Sequence, residues 1–236
     1  MESVSTKKAG PRLLIADDHS IFADALRVFL ERTYSVVGVV GDGRALIEMA
    51  RRLRPEVILV DVAMPLLNGL DAARRIKEDV PEIKIIFLTM QVDPNLAAAA
   101  LELGPIGFVL KQSAGAELLM SIDHVLHGKS YVSPQLRADD WFATKARARQ
   151  FDRELTHRQR EIVQLYAEGR PMKEIAGLLN LSEKTVEFHK RHIMDAFHLK
   201  SNAGIVLYAL KHGLIYADPD PSTGARAVHH KAQNSL

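Results

Sequence analysis

The chain has 236 residues, no cysteine and a formal net charge of +2. That length allows two small domains, each able to bury its own core, and the lack of cysteine excludes disulfide scaffolds, thiolate zinc sites and thiol nucleophiles. Charge is uneven: residues 1–130 carry 15 Lys and Arg against 17 Asp and Glu, while 131–236 carry 16 against 12 and seven of the ten histidines. The basic half can therefore accommodate a nucleic-acid partner. No apolar run approaches the roughly 20 residues of a membrane span, so a cytoplasmic protein without membrane contact is expected.

A polar leader over 1–10 reads as disordered. Residues 12–16 form a predicted buried strand that ends in Asp17-Asp18-His19-Ser20, with His19 or Ser20 placed to cap the following helix. A strand over 35–40 and a helix over 45–53 follow. The central stretch is Val57-Ile-Leu-Val60, too short for an isolated helix and suited to a strand buried on both faces. It delivers Asp61 to its end, breaks at Met64-Pro65, and a helix begins at Asn68-Gly69. Residues 83–88 form a strand ending at Thr89-Met90, 95–103 an Ala-rich helix, 106–110 a strand ending at Lys111, and 114–126 a helix that stops at Gly128. Five strands alternating with five helices imply a parallel sheet with right-handed crossovers and helices on both faces.

A parallel sheet gathers its strand ends at one edge, here Asp17, Asp18, Asp61, Thr89 and Lys111. Three clustered carboxylates repel one another unless a cation is present. Mg²⁺ is the expected one, because it prefers oxygen ligands and leaves room for a phosphate oxygen. Lys111 as a point charge and the Thr89 hydroxyl as a donor then suit a transferred phosphoryl group.

Asp17-Asp18, Asp61 with Met64-Pro65 and Gly69, Thr89, and Gly107-Phe108-Val-Leu-Lys111 resemble the receiver domain of bacterial two-component response regulators. The likeness spans residues 11–130. It implies a flavodoxin-like sheet of order 2-1-3-4-5 and phosphorylation of Asp61 by a partner histidine kinase. It also implies Mg²⁺ held by Asp18, Asp61 and the Ala63 carbonyl, with Asp17 acting through water, Thr89 and Phe108 as a coupled switch pair, and Lys111 on the phosphoryl group. Three positions depart from the pattern. Met90 replaces a small residue and should narrow access to the site. Gln112 replaces a proline, so no cis bond is carried over at this position. Pro105 stiffens the turn into the fifth strand.

Residues 131–153 lose the apolar period and read as a linker, with a helix over 139–151 presenting Trp141 and Phe142. Thr156 and Gln159 have capping-box spacing and open a helix with Ile162, Val163, Leu165 and Tyr166 on its apolar face. A second helix starts at Pro171. A turn at Asn180-Leu181 leads to a third helix capped by Ser182, and a fourth runs over 201–212. The second and third form a helix-turn-helix candidate. Lys184, Thr185, Glu187, Phe188, Lys190 and Arg191 project from the third: the lysines suit phosphates, Arg191 guanine and Glu187 the cytosine amino group.

Leu155-Thr, Glu161-Ile-Val, Ala167-Glu-Gly169, Lys173-Glu-Ile-Ala176, Lys184-Thr-Val186, His189 and Leu199-Lys-Ser201 resemble the all-α, four-helix DNA-binding domain of the NarL/FixJ/LuxR group over residues 154–216. The resemblance implies major-groove reading by Glu187, Phe188 and Arg191. Phosphate contacts would come from Lys184, Thr185, Lys190 and Lys200, and dimer contacts from the last helix. Asn202 removes one common phosphate contact, and Arg170-Pro171 replaces the usual polar cap. The tail over 217–236 reads as disordered.

These readings describe a phosphorylation-controlled transcription regulator rather than an enzyme. Its expected partners are double-stranded promoter half-sites, a cognate histidine kinase and a second copy of itself, with RNA polymerase as a candidate further partner. On activation the surface of the fourth helix and fifth strand would change, favouring a dimer or freeing the third helix of the DNA-binding domain from the receiver. The alternative is a DNA-binding regulator whose receiver acts as a phosphorylation-independent interaction module. An aspartyl-phosphate phosphatase usually needs a second acid two residues after the nucleophile, where Ala63 stands.

Overall fold

A computed structural model describes residues 10–90, 94–136 and 155–216. The expected leader, the linker helix with Trp141 and Phe142, and the tail beyond 216 lie outside the described residues.

The N-terminal domain alternates β1 (Arg12–Ala16), α1 (Ser20–Leu30), β2 (Ser35–Val40), α2 (Gly43–Leu53), β3 (Val57–Asp61), α3 (Gly69–Asp79), β4 (Lys84–Thr89), α4 (Pro94–Leu101), β5 (Ile106–Leu110) and α5 (Ala114–Leu126). A short β6 (Tyr131–Val132) pairs parallel to β5, giving a six-stranded sheet of order β2-β1-β3-β4-β5-β6. The order matches expectation with one strand more. Residues 131–136, expected to open the linker, continue the N-terminal domain as β6 and a 3₁₀ turn over Pro134–Leu136, with Leu136 buried. Two residues are too few to show an alternation in sequence. Their place is fixed by tertiary contacts instead: Ser133 donates from its amide to the Phe108 carbonyl, and its hydroxyl accepts from the Leu110 amide.

Strand alternation divides the core. Leu14, Ala16, Ile58, Val60, Ile85, Phe87, Ile106 and Phe108 face the side covered by α2, α3 and α4. Leu13, Ile15, Val57, Leu59, Ile86, Leu88 and Val109 face α1 and α5. Burial on both faces explains why these strands read as continuous apolar runs. Asp42 caps α2 by accepting from the Arg44 and Ala45 amides, and Asn68 caps α3 by accepting from that of Asp71. At the close approach of α3 to β3, a Cβ on Gly69 would collide with the Asp61 carbonyl oxygen.

The C-terminal domain packs α6 (His157–Ala167), α7 (Met172–Leu179), α8 (Glu183–Ala196) and α9 (Asn202–Lys211) around Ile162, Leu165, Ile175, Val186, Ile193 and Ile205. The capping box on α6 is present: the Thr156 hydroxyl accepts from the Gln159 amide, and the Gln159 side chain accepts from the Thr156 amide. Pro171 stands just before α7 and offers no side-chain cap, so that helix begins at Met172. Asn180, in the left-handed region at φ 53°, turns the chain toward Ser182, whose hydroxyl caps α8. The motif is a helix-turn-helix formed by α7 and α8.

Candidate functional site

The carboxyl edge of the sheet brings together Asp17, Asp18, Asp61 and Lys111, with Thr89 at the end of β4, whereas Phe108 lies within β5. Asp61 ends β3 and is 2% exposed; Asp17, Thr89, Phe108 and Lys111 are also buried, while Asp18 is exposed. Lys111 Nζ sits 2.8 Å from Asp61 Oδ2 and 2.7 Å from Asp17 Oδ2, and lies 4.9 Å from the centroid of the Phe22 ring. The Ala63 amide donates to Asp61 Oδ1 at 3.2 Å. Burial raises the Asp61 carboxyl from 3.8 to about 6, with Asp17 adding to the shift and Lys111 opposing it. Burial also raises Asp18, against the pull of His19. Burial acts to lower Lys111, but Asp61 and Asp17 outweigh it and hold the ammonium above its usual value.

Asp17, Asp18, His19 and Asp61 present ligand atoms within 4.8 Å of one another. His19 or Ser20 is the expected cap of α1, and His19 is its N-cap residue. The structure shows no side-chain cap there and places its Nδ1 2.9 Å from Asp18 Oδ1 and 4.0 Å from Asp61 Oδ2. Thr89 ends β4 in register with Leu110, and Phe108 pairs with Phe87, their ring centroids 5.9 Å apart. Met90, expected to narrow the entrance, is 67% exposed beside buried Thr89.

On α8, Lys184, Phe188 and Arg191 are exposed, and Thr185, Glu187 and Lys190 partly so; Lys200 follows in the loop and is exposed. Phe188 is 65% exposed and shares one face of α8 with Lys184 and Arg191. Glu187 accepts from Arg191 Nε at 3.1 Å, which aligns the guanidinium along the helix. Lys190 Nζ lies 4.7 Å from the centroid of the Tyr166 ring.

The two domains also touch, a feature sequence reading did not find. Arg160 of α6 donates to Asp71 of α3 at 3.0 Å, and buried Glu161 accepts from Arg44 of α2 at 3.1 Å and pairs with Arg75. Burial tends to raise Asp71, but Arg160 and then Arg74 outweigh it and hold its carboxyl below the ordinary value. The polar side of α6 makes this interface. Pairs such as Arg160–Asp71, 89 residues apart, and Arg44–Glu161, 117 apart, leave no local pattern that would reveal them.

A parallel α/β domain with three carboxylates and a lysine at its strand ends, joined to a helix-turn-helix with an open charged face, defines a receiver coupled to a DNA-binding module. Residues 13–123 match the response regulator receiver domain and residues 153–209 the bacterial regulatory proteins of the luxR family. The chain belongs to the response regulators that carry a LuxR-family DNA-binding domain, the two-component transcription regulators. It is 34% identical over 215 residues to the oxygen regulatory protein NreC of Staphylococcus epidermidis, covering 86% of this chain and 99% of that one. It is 29% identical over 212 residues to the transcriptional regulatory protein MctR of Rhizobium johnstonii, covering 89% and 98%. The structure of RcsB from Salmonella enterica serovar Typhimurium bound to promoter P1flhDC in the presence of phosphomimetic BeF3- is similar at 30% identity and a TM-score of 0.57, covering 84% of this chain and 98% of that one.

Proposed function

We propose that this chain is a transcription regulator switched on by phosphorylation of Asp61 by a histidine kinase, and that it then binds promoter half-sites as a dimer. The observation that carries the reading is the buried Asp61–Lys111 pair at 2.8 Å, in a chain that also presents an open helix-turn-helix face.

The hard oxygen donors of Asp18, Asp61 and the Ala63 carbonyl, with Asp17 through water, would hold Mg²⁺, which would supply neutralising charge for phosphoryl oxygens. The chain's own groups have distinct tasks. An oxygen of the Asp61 carboxylate attacks phosphorus as the bond to the donor nitrogen breaks. Lys111 Nζ, already 2.8 Å from that carboxylate, receives a phosphoryl oxygen. The Thr89 hydroxyl donates to another, and Phe108 follows into the space that Thr89 leaves. The products are an aspartyl phosphate and a neutral donor histidine, with no turnover of an external substrate.

On the output side, Arg191, Glu187 and Phe188 would read base edges while Lys184, Thr185, Lys190 and Lys200 hold phosphates. Leu207 and Leu210 are exposed on α9 and fit a dimer contact. A symmetric dimer would place two half-sites about one DNA turn apart.

Intact mass after incubation with Mg²⁺ and acetyl phosphate tests the chemistry. One phosphoryl adduct is expected on the wild type and none on Asp61→Asn, with tighter promoter binding by the modified form in fluorescence anisotropy. An unmodified wild type, or equal DNA binding by modified and unmodified chains, would refute the proposal.

A further inference from the structure

The loop that follows Asp61 is held by side chains from the other domain. Gln164 of α6 is 1% exposed. Its Oε1 accepts from the Asn68 amide at 2.9 Å, and its Nε2 donates to the Met64 carbonyl at 3.0 Å. The Glu168 carboxylate accepts from the Leu66 amide at 3.1 Å, and is itself aligned by Gln164 Nε2 at 2.8 Å and Arg170 Nε at 3.2 Å. Two side chains thus engage three backbone groups of one loop, and the first of these, Met64, adjoins Ala63, whose amide binds Asp61.

The same loop carries backbone strain. Leu66 has φ +66°, a left-handed conformation that a bulky non-glycine residue rarely adopts. Its side chain packs against the core of the helix-turn-helix domain, so both the backbone and the side chain of Leu66 are secured from across the interface. Such conformations persist where the surroundings over-determine them. The recognition helix lies outside this clamp, since Lys184, Phe188 and Arg191 are exposed while the domains are docked. Docking therefore fastens the receiver's reactive loop and leaves the DNA-reading face open, so of the two expected routes of activation, dimerisation or release of the third helix from the receiver, the first is the one this arrangement leaves to explain.

We infer that Gln164 and Glu168 are positioning residues for the Asp61 loop, through which the docked DNA-binding domain slows phosphoryl loading. The inference rests on Asp61 being the phosphoacceptor. Asp61 and Lys111 are nearly fully covered, so a donor reaches the carboxylate only when a wall of the site gives way. A loop held at Met64, Leu66 and Asn68 resists that movement. By linkage, a state that favours loading is one in which the clamp is weaker, and loading in turn favours undocking.

The test compares the full-length wild type, Gln164→Ala, Glu168→Ala and Asp61→Asn. Each is incubated with acetyl phosphate and Mg²⁺, where an Asp61 oxygen bonds to phosphorus as the phosphorus–acetyl oxygen bond breaks and acetate departs. Intact mass gives the loading rate, circular dichroism confirms folding, and amide hydrogen exchange at Leu66 and Asn68 is read without donor or metal. Both alanine variants should exchange faster at those amides and load at least about fivefold faster, whereas a merely structural role would lower stability without accelerating chemistry. Loading at the wild-type rate or slower, or unchanged exchange in both variants, overturns the brake while leaving the phosphoacceptor reading intact. No loading of any chain overturns the phosphoacceptor reading and the brake with it.

Discussion

Replacing Asp61 with asparagine should stabilise the metal-free protein at neutral pH. Burial raises the Asp61 carboxyl from 3.8 to about 6, so the folded chain binds this proton more tightly than the unfolded chain does. The resulting stability is complete below about 3.8 and is lost as pH rises through about 6. A difference of about two pH units corresponds to ~3 kcal/mol of destabilisation by the ionised group above that window. Asparagine keeps the shape and removes the charge, and Lys111 retains Asp17 at 2.7 Å as a partner. Urea titrations of full-length wild type and Asp61→Asn in EDTA, from pH 5 to pH 8, should show the variant ahead by up to about 3 kcal/mol at pH 8, with the gap closing toward pH 5. Added Mg²⁺ should stabilise the wild type and do much less for the variant. A variant less stable than wild type at pH 8, or a gap that does not change with pH, would refute the assignment of a costly buried charge.

Asp71→Asn should loosen the domains at neutral pH, read as a larger radius of gyration in small-angle scattering. Because Asp71 is held below the ordinary 3.8, its contribution to docking is present above that value and lost as pH falls further, so the wild type should approach the variant only in acid. Gly69→Ala should cost ~1–3 kcal/mol in urea, since the added Cβ meets the Asp61 carbonyl and the Val60 side chain, and should also abolish the mass adduct on Asp61. Arg191→Ala should cost ~1–3 kcal/mol of discrimination at one base pair. Lys200→Ala should instead weaken all sequences alike and lower the salt-dependence slope by about 1, both measurable by anisotropy across a salt series.

Much of the receiver was legible because its chemistry sits at the ends of strands that are apolar throughout. Val57 to Val60 can only be a buried strand, and a buried parallel strand delivers Asp61 to the ligand edge. The capping residues Thr156 and Ser182 were equally clear, because a cap acts within three residues of itself. Short or distant relationships were not legible. β6 holds two residues and is defined by its pairing with Gly107 and Phe108. His19 does stand at the N-cap of α1, but its sequence neighbours gave no sign that its ring would face Asp18. Glu161 and Gln164 are polar residues of an amphipathic helix, and the sequence carries no local sign that both are buried beneath another domain.

The ion pairs between the domains run in both directions. The receiver's Asp71 is balanced by Arg160 of the other domain, and that domain's Glu161 is balanced by Arg44 and Arg75 of the receiver. Severing the chain in the linker would leave each fragment with an acid deprived of part of its counter-charge: Asp71 with Arg74, and Glu161 with Arg158. The halves are therefore not interchangeable parts. In a chimera with another regulator, a transplanted output domain that lacks an equivalent of Arg160 strands Asp71, and a transplanted receiver that lacks Arg44 and Arg75 strands Glu161. The unit of exchange that preserves the junction is the set of Arg44, Asp71, Arg75, Arg160 and Glu161 taken together, spread over three helices and both domains.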